Sequence, residues 1–180
     1  MKKKNKVFIA RSLDGYIAGK EGEIEWLNAI PNPDRDDMGY LEFMAGIDAL
    51  LMGRRTFHKV CSFDMDWPYT QPVFVWSQTL QSIPAALTGK VELVAGTASE
   101  VLETIHDKGY EQLYIDGGAT IRSFLREDLI DEMIITTIPI LLGGGISLFR
   151  DLPHALMFEL VRSQVFLGQM VQDHYRRKRI

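Results

Sequence analysis

Leu113-Tyr-Ile-Asp-Gly-Gly-Ala-Thr120, followed at once by Ile121-Arg-Ser-Phe-Leu125, decides the fold. An apolar run of strand type ends in Asp116, a glycine pair follows, and an amphipathic helix begins within two residues. Gly117 and Gly118 carry no Cβ, so positive φ costs little and a ligand can approach the main chain. The helix that follows turns its unbonded N–H groups and positive dipole end into the same space, which suits a phosphate. Taken alone, the pair also fits a plain strand-to-helix turn. The rest of the chain has to choose.

Downstream, Ile121, Phe124, Leu125 and Leu129 fall at i, i+3, i+4 and i+8, one stripe of a helix packed on a sheet. Upstream, residues 98–108 form a second helix with a capping box at Thr97 and Glu100 and a stop at Gly109. Short apolar runs at 7–10, 47–52, 73–76, 91–94 and 113–115 read as strands, and 133–142 as a longer one. Helices are expected over roughly 36–46 and from about Thr56, with irregular chain over 61–71. Residues 158–166 and 170–175 read as a terminal β-hairpin. Alternating strands and helices predict a mostly parallel eight-stranded sheet with about four helices on its faces, closed by that antiparallel pair. Ligands of such sheets sit at the strands' carboxyl ends. Gly53, Ser77, Gly96 and Gly117 all fall there.

The 180 residues are expected to form a single domain over 1–180, with 46% hydrophobic and 24% charged residues. A net charge of −4 argues against nucleic acid as a partner. Lys2-Lys3-Lys4 and Arg176-Arg-Lys-Arg179 read as solvated termini. The one cysteine, Cys61, fits a reducing cytoplasm, and no apolar run is long enough for a membrane span. His58 and Cys61 make only half a metal site, so no metal is expected. Gly89-Lys90 lacks the rest of a P-loop.

The ligand is suggested by Met52-Gly53-Arg54-Arg55-Thr56, a strand end opening a helix. Two guanidinium forks and a hydroxyl exceed what a helix start needs and suit phosphate oxygens. Ser77 and Gln78 end the next strand and can reach the same phosphate. The pattern points to a phosphate on the adenosine ribose in addition to a pyrophosphate.

Five segments in this order carry a family resemblance: Ser12–Ala18, Glu25-Trp26-Leu27, Leu51–Phe57, Ile115–Ala119 and Pro139–Gly145. The chain resembles the dihydrofolate reductase-like superfamily, and most closely the C-terminal reductase domain of the bacterial bifunctional riboflavin biosynthesis protein. The resemblance implies that superfamily's three-layer α/β sandwich, NADPH, and hydride transfer to a small heterocyclic or sugar-derived substrate. The nearest activity is 5-amino-6-(5-phosphoribosylamino)uracil reductase; the alternatives are a dihydrofolate or pterin reductase, or a nucleotide-binding module without turnover. Carried over by residue, Arg54, Arg55 and Ser77, with Gly53 and Thr56, would hold the 2′-phosphate end. Gly117, Gly118, Ala119 and Thr120 would meet the pyrophosphate, and Ala10 and Ile17 would flank the nicotinamide. Related reductases are commonly dimeric, which implies a homodimer with apolar surface at 138–142 and the hairpin.

The reacting side is less determined. Asp14 reads as a proton relay or as turn chemistry before Gly15; Asp36 and Asp37 read as helix-start acids or as the carboxylate that holds a pterin. Trp26 is a candidate to stack on a flat substrate. Residues 60–68 contain no basic side chain for a phosphorylated ribose. Asp116 would repel a pyrophosphate and reads as a cap on the turn.

Overall fold

The computed structural model describes residues 3–179. In chain order its strands and helices are β1 (Lys4–Ser12), β2 (Tyr16–Ala18), α1 (Tyr40–Ala45), β3 (Ala49–Gly53), α2 (Arg54–Cys61), β4 (Val73–Trp76), β5 (Val91–Val94), α3 (Ala98–Asp107), β6 (Gln112–Asp116), α4 (Gly118–Arg126), β7 (Glu132–Ile138), β8 (Ile146–Ser147), β9 (Phe158–Phe166) and β10 (Met170–Arg177). Eight strands form one sheet in the order β5-β4-β3-β6-β1-β7-β10-β9. Every pairing from β5 to β7 is parallel, and β10 returns antiparallel to both β7 and β9. This is the three-layer α/β sandwich, mostly parallel with a terminal hairpin, that the alternation predicts.

Alternate side chains of each central strand serve opposite faces, as a strand's two-residue period requires. In β3, Ala49 and Leu51 pack with Val101, Ile105, Ile121 and Phe124 of α3 and α4. Leu50 and Met52 pack on the other face with Met44 and Phe57 of α1 and α2. Both faces are covered, which is why β3 and β6 read as unbroken apolar runs. The α3 capping box is complete: the Thr97 Oγ1 accepts from the Glu100 N–H at 3.3 Å, and the Glu100 carboxylate accepts from the Thr97 N–H at 2.8 Å.

Several local expectations change. β7 stops at Ile138, four residues early, because Pro139 has no N–H for the ladder and Gly143, Gly144 and Gly145 all take positive φ. The first helix shortens to Tyr40–Ala45, since the Asn32 side chain binds both the N–H and the carbonyl of Asp36 and locks the preceding chain into turns. A two-stranded ribbon, β2 with β8, forms in stretches read as loop. α2 starts at Arg54, which puts both arginines in its first turn.

The basic tail is not simply solvated. The Arg177 guanidinium donates to both Asp128 oxygens, at 2.6 and 3.0 Å, and Arg179 pairs with Asp131. Lys4 pairs with Glu132 at 2.6 Å, while Lys2 lies outside the described residues. Ile138 is buried in β7, but Leu141 is exposed, as are Leu160, Val161 and Val165 on edge strand β9. No described helix is long and apolar enough to cross a membrane.

Candidate active site

The carboxyl ends of β1, β3, β4 and β6 open into one cleft of about 1220 Å³. α2 and α4 begin on its floor, and their starts interlock. Gly53 precedes α2, and a Cβ there would come 2.9 Å from the hydroxyl of Thr120, the third residue of α4. Gly117 precedes α4, and a Cβ there would collide with the hydroxyl of Thr56, the third residue of α2. Each threonine thus sits over the other helix's capping glycine. Gly117 also takes φ +88°, so both space and conformation require glycine there.

Neither helix has a side-chain cap. The first N–H groups of both are left to a ligand or water, whereas α3, whose start does not line the cleft, is capped in full. Two uncapped N-termini converging on one cavity present N–H donors of the kind that suit an anion. The surrounding charge agrees. Lys20, Arg54, Arg55, Lys59 and Arg122 line the cleft against only Glu21 and Asp116, in a chain whose net charge is −4.

All eleven sequence-derived cofactor residues line this cleft. Ala10 and Ile17 come from β1 and β2; Gly53, Arg54, Arg55 and Thr56 from the start of α2; Ser77 from the end of β4; Gly117, Gly118, Ala119 and Thr120 from the start of α4. Arg54 donates to the Thr79 hydroxyl at 2.6 Å. The Ser77 oxygen accepts from the N–H groups of Thr79 and Leu80, which leaves its own O–H free to donate. Among the described residues Arg55 makes no ion pair or hydrogen bond. Gly96 does not line the cleft; its carbonyl accepts from the Trp76 indole, which does.

The substrate-side candidates lie elsewhere. Trp26 is absent from the lining. It sits in a short 3-10 turn (Glu25–Asn28) in which Ile24 and Leu27, three residues apart, share the face toward the cleft. Asp14 accepts from Ser12, Leu142 and Gly143, tethering the glycine-rich loop after β7 to the loop after β1. The Ser12 hydroxyl above all, with those backbone groups, holds its carboxyl below the usual range. Asp36 and Asp37 are exposed; Asp36 accepts from the Met38 N–H, and Asp37 accepts from the N–H groups of Gly39 and of Leu41 in the first turn of α1. None of the three lines the cleft.

Asp116 does line it, at the end of β6. It accepts from the Gly117 N–H at 2.7 Å, the turn-capping role read from the sequence. Burial pushes its carboxyl up to about 6, against the lowering effect of Gly117 and the Tyr114 hydroxyl. Tyr69 is a further lining group, its phenol raised by burial first and by Asp116 second. Sequence spacing gave no sign of Tyr69, which lies in an irregular segment. Among the described residues there is no group of three side chains able to hold a metal ion.

Sheet order, helix placement and cleft define a dihydrofolate reductase-like fold. Dihydrofolate reductase from Enterococcus faecalis complexed with NADP(H) superposes with a TM-score of 0.66 over 98% of this chain and 97% of that one, at 18% identity. Residues 5–172 match the RibD C-terminal domain, and the chain belongs to that family. The structure of a "Putative riboflavin biosynthesis protein" from Shewanella sp. PV-4 matches with a TM-score of 0.95 and 50% identity, covering 98% of this chain and 99% of that one. The uncharacterized protein YwjB of Bacillus subtilis is 34% identical over 177 residues, 97% of this chain and 98% of its own.

Proposed function

We propose that this chain is an NADPH-dependent reductase, working as a single domain on a small heterocyclic or sugar-derived substrate. The observation that carries this is the convergence of two uncapped helix N-termini, two arginines and a serine on one strand-end cleft. The residues fit the cofactor. Gly53, Gly117 and Gly118 leave a cradle that a Cβ would fill, and Arg55 has no partner among the described residues. When bound, the nicotinamide supplies hydride.

The protein's own part is to position and to protonate. Ala10 and Ile17 form an apolar wall for a nicotinamide, and Ile24, Leu27 and Phe63 exclude water across the cleft. Asp116 is the cleft carboxyl best able to hold a proton near neutral pH, and we assign it the proton transfer that accompanies hydride addition. It is neutral below about 6 and charged above, so turnover should be flat below that pH and decline above it, by about ten-fold per pH unit. Asp116→Asn should remove this limb and slow turnover at every pH. An unchanged profile in that variant would rule Asp116 out.

The substrate is most like that of the 5-amino-6-(5-phosphoribosylamino)uracil reductases, with dihydrofolate or a pterin as the alternative. The second reading is a nucleotide-binding module without turnover, in which Asp116 only caps the Gly117 turn. Steady NADPH consumption with any pterin or aminopyrimidine tests the point, and none with any of them favours the module.

Self-association is proposed through the edge of the sheet, where Leu160, Val161 and Val165 are exposed on β9. Light scattering at micromolar concentration should give a dimer. A monomer would contradict it.

A further inference from the structure

We propose that Arg122 is a ligand of the pyrophosphate of the dinucleotide, a proposal that rests on the cofactor assignment above. Arg122 stands one turn into α4, four residues after Gly118, and therefore on Gly118's face of the helix. Its guanidinium reaches back to the helix start: a Cβ on Gly118 would lie 2.9 Å from its Nη1 and 2.5 Å from Ile17 Cδ1. It lines the cleft at the uncapped start of α4, where Ile17 also comes close to Gly118. A dinucleotide whose 2′-phosphate lies at α2 and whose nicotinamide lies at Ile17 must pass its two central phosphates across α4, in front of Arg122.

The electrostatics of Arg122 lack an anion. It is half-buried, and among the described residues its one hydrogen bond is to the Ser147 carbonyl at 2.5 Å. Among the described residues no carboxylate pairs with it. The contrast with Arg177 and Arg179 is direct, since both are neutralised by Asp128 and Asp131. Burial lowers the Arg122 pKa from its ordinary value, and the charges of Arg150 and Arg126 lower it further. A half-buried cation with two like charges nearby is unfavourable until an anion arrives. Ser147 belongs to the β2–β8 ribbon, which also supplies Ile17, so Arg122 links the phosphate path to the wall beside the nicotinamide.

The test is calorimetry on the full chain, with Arg122→Met and Arg122→Lys titrated against NADPH, NADH, adenosine 2′,5′-bisphosphate and inorganic pyrophosphate. The Met variant should bind NADPH and NADH more weakly by the same factor, about ten-fold or more. Adenosine 2′,5′-bisphosphate, which keeps only the adenosine-side phosphate of the bridge, should lose less affinity than the dinucleotides do. Competition by inorganic pyrophosphate should weaken as dinucleotide binding does, and Lys should restore part of the loss. Unchanged dinucleotide affinity overturns the proposal, including the case in which only the substrate KM rises, which would assign Arg122 to a substrate anion. An equal fall for the bisphosphate, together with a lower melting temperature, also overturns it and makes Arg122 a structural prop for Ser147. If the parent protein binds neither dinucleotide, the cofactor assignment fails as well, so the two failures are distinguishable.

Discussion

Replacing Arg55 with Ala is expected to weaken NADPH binding about ten-fold and to leave NADH nearly untouched. A charge-assisted hydrogen bond contributes roughly 1.5–3 kcal/mol. Both arginines are exposed, so solvent screening puts the lower end of that range in force. Arg54→Ala should behave alike but lose somewhat less. Arg54 already donates to Thr79 in the free protein and must give up that bond or share it with the phosphate, whereas Arg55 has no such bond to lose. The double variant should come close to equal affinity for the two cofactors, with a combined loss short of the product because the arginines share one ligand. Equal loss for NADPH and NADH in either single variant would remove these residues from the 2′-phosphate.

Gly117→Ala should damage both stability and binding. At φ +88° and ψ 134° the residue occupies a region that costs a non-glycine residue about 1–3 kcal/mol. Its new methyl would also strike Thr56, and displacing a packed group costs about another 1–3 kcal/mol. At roughly 2–4 °C per kcal/mol for a chain of this size, the melting temperature should fall by about 4–24 °C. Gly118→Ala provides the contrast. There the methyl meets the far ends of Ile17 and Arg122, which are flexible, and φ is ordinary. Stability should therefore fall much less while the methyl still enters the cofactor cradle. If thermal unfolding of the two variants proves alike, the interlocked helix starts are not what fixes Gly117.

Much of the architecture was legible because it rests on repetition. The apolar runs of β3, β4 and β6 and the stripe of α4 are long enough to show their period, and the Thr97–Glu100 box is a local signal that the structure reproduces bond for bond. The glycine pair, Arg54, Arg55 and Ser77 were legible for a related reason: each sits where a strand ends, and the topology of a parallel sheet brings such ends together. What escaped depends on contacts distant in sequence or on segments too short for a period. The β2–β8 ribbon spans three and two residues. Asp14 is occupied by backbone groups 128 and 129 residues away, which no spacing rule announces. Trp26 is the largest side chain of its segment, but the three-residue period of the 3-10 turn selects Ile24 and Leu27 for the cleft. The basic tail suggested solvation until Asp128 and Asp131 were found opposite Arg177 and Arg179. The spacing of Asp116 before the glycine pair shows a cap, whereas its raised pKa comes from burial created by the fold as a whole.

The cleft where α2 and α4 begin is the proposed NADPH site. Titration of the purified protein with NADPH and NADH by calorimetry, at two salt concentrations, tests it most directly. The predicted result is one nucleotide per chain, NADPH bound more tightly than NADH, and a preference that shrinks as salt screens Arg54 and Arg55. No binding of either nucleotide, or equal binding of both at low salt, would contradict it.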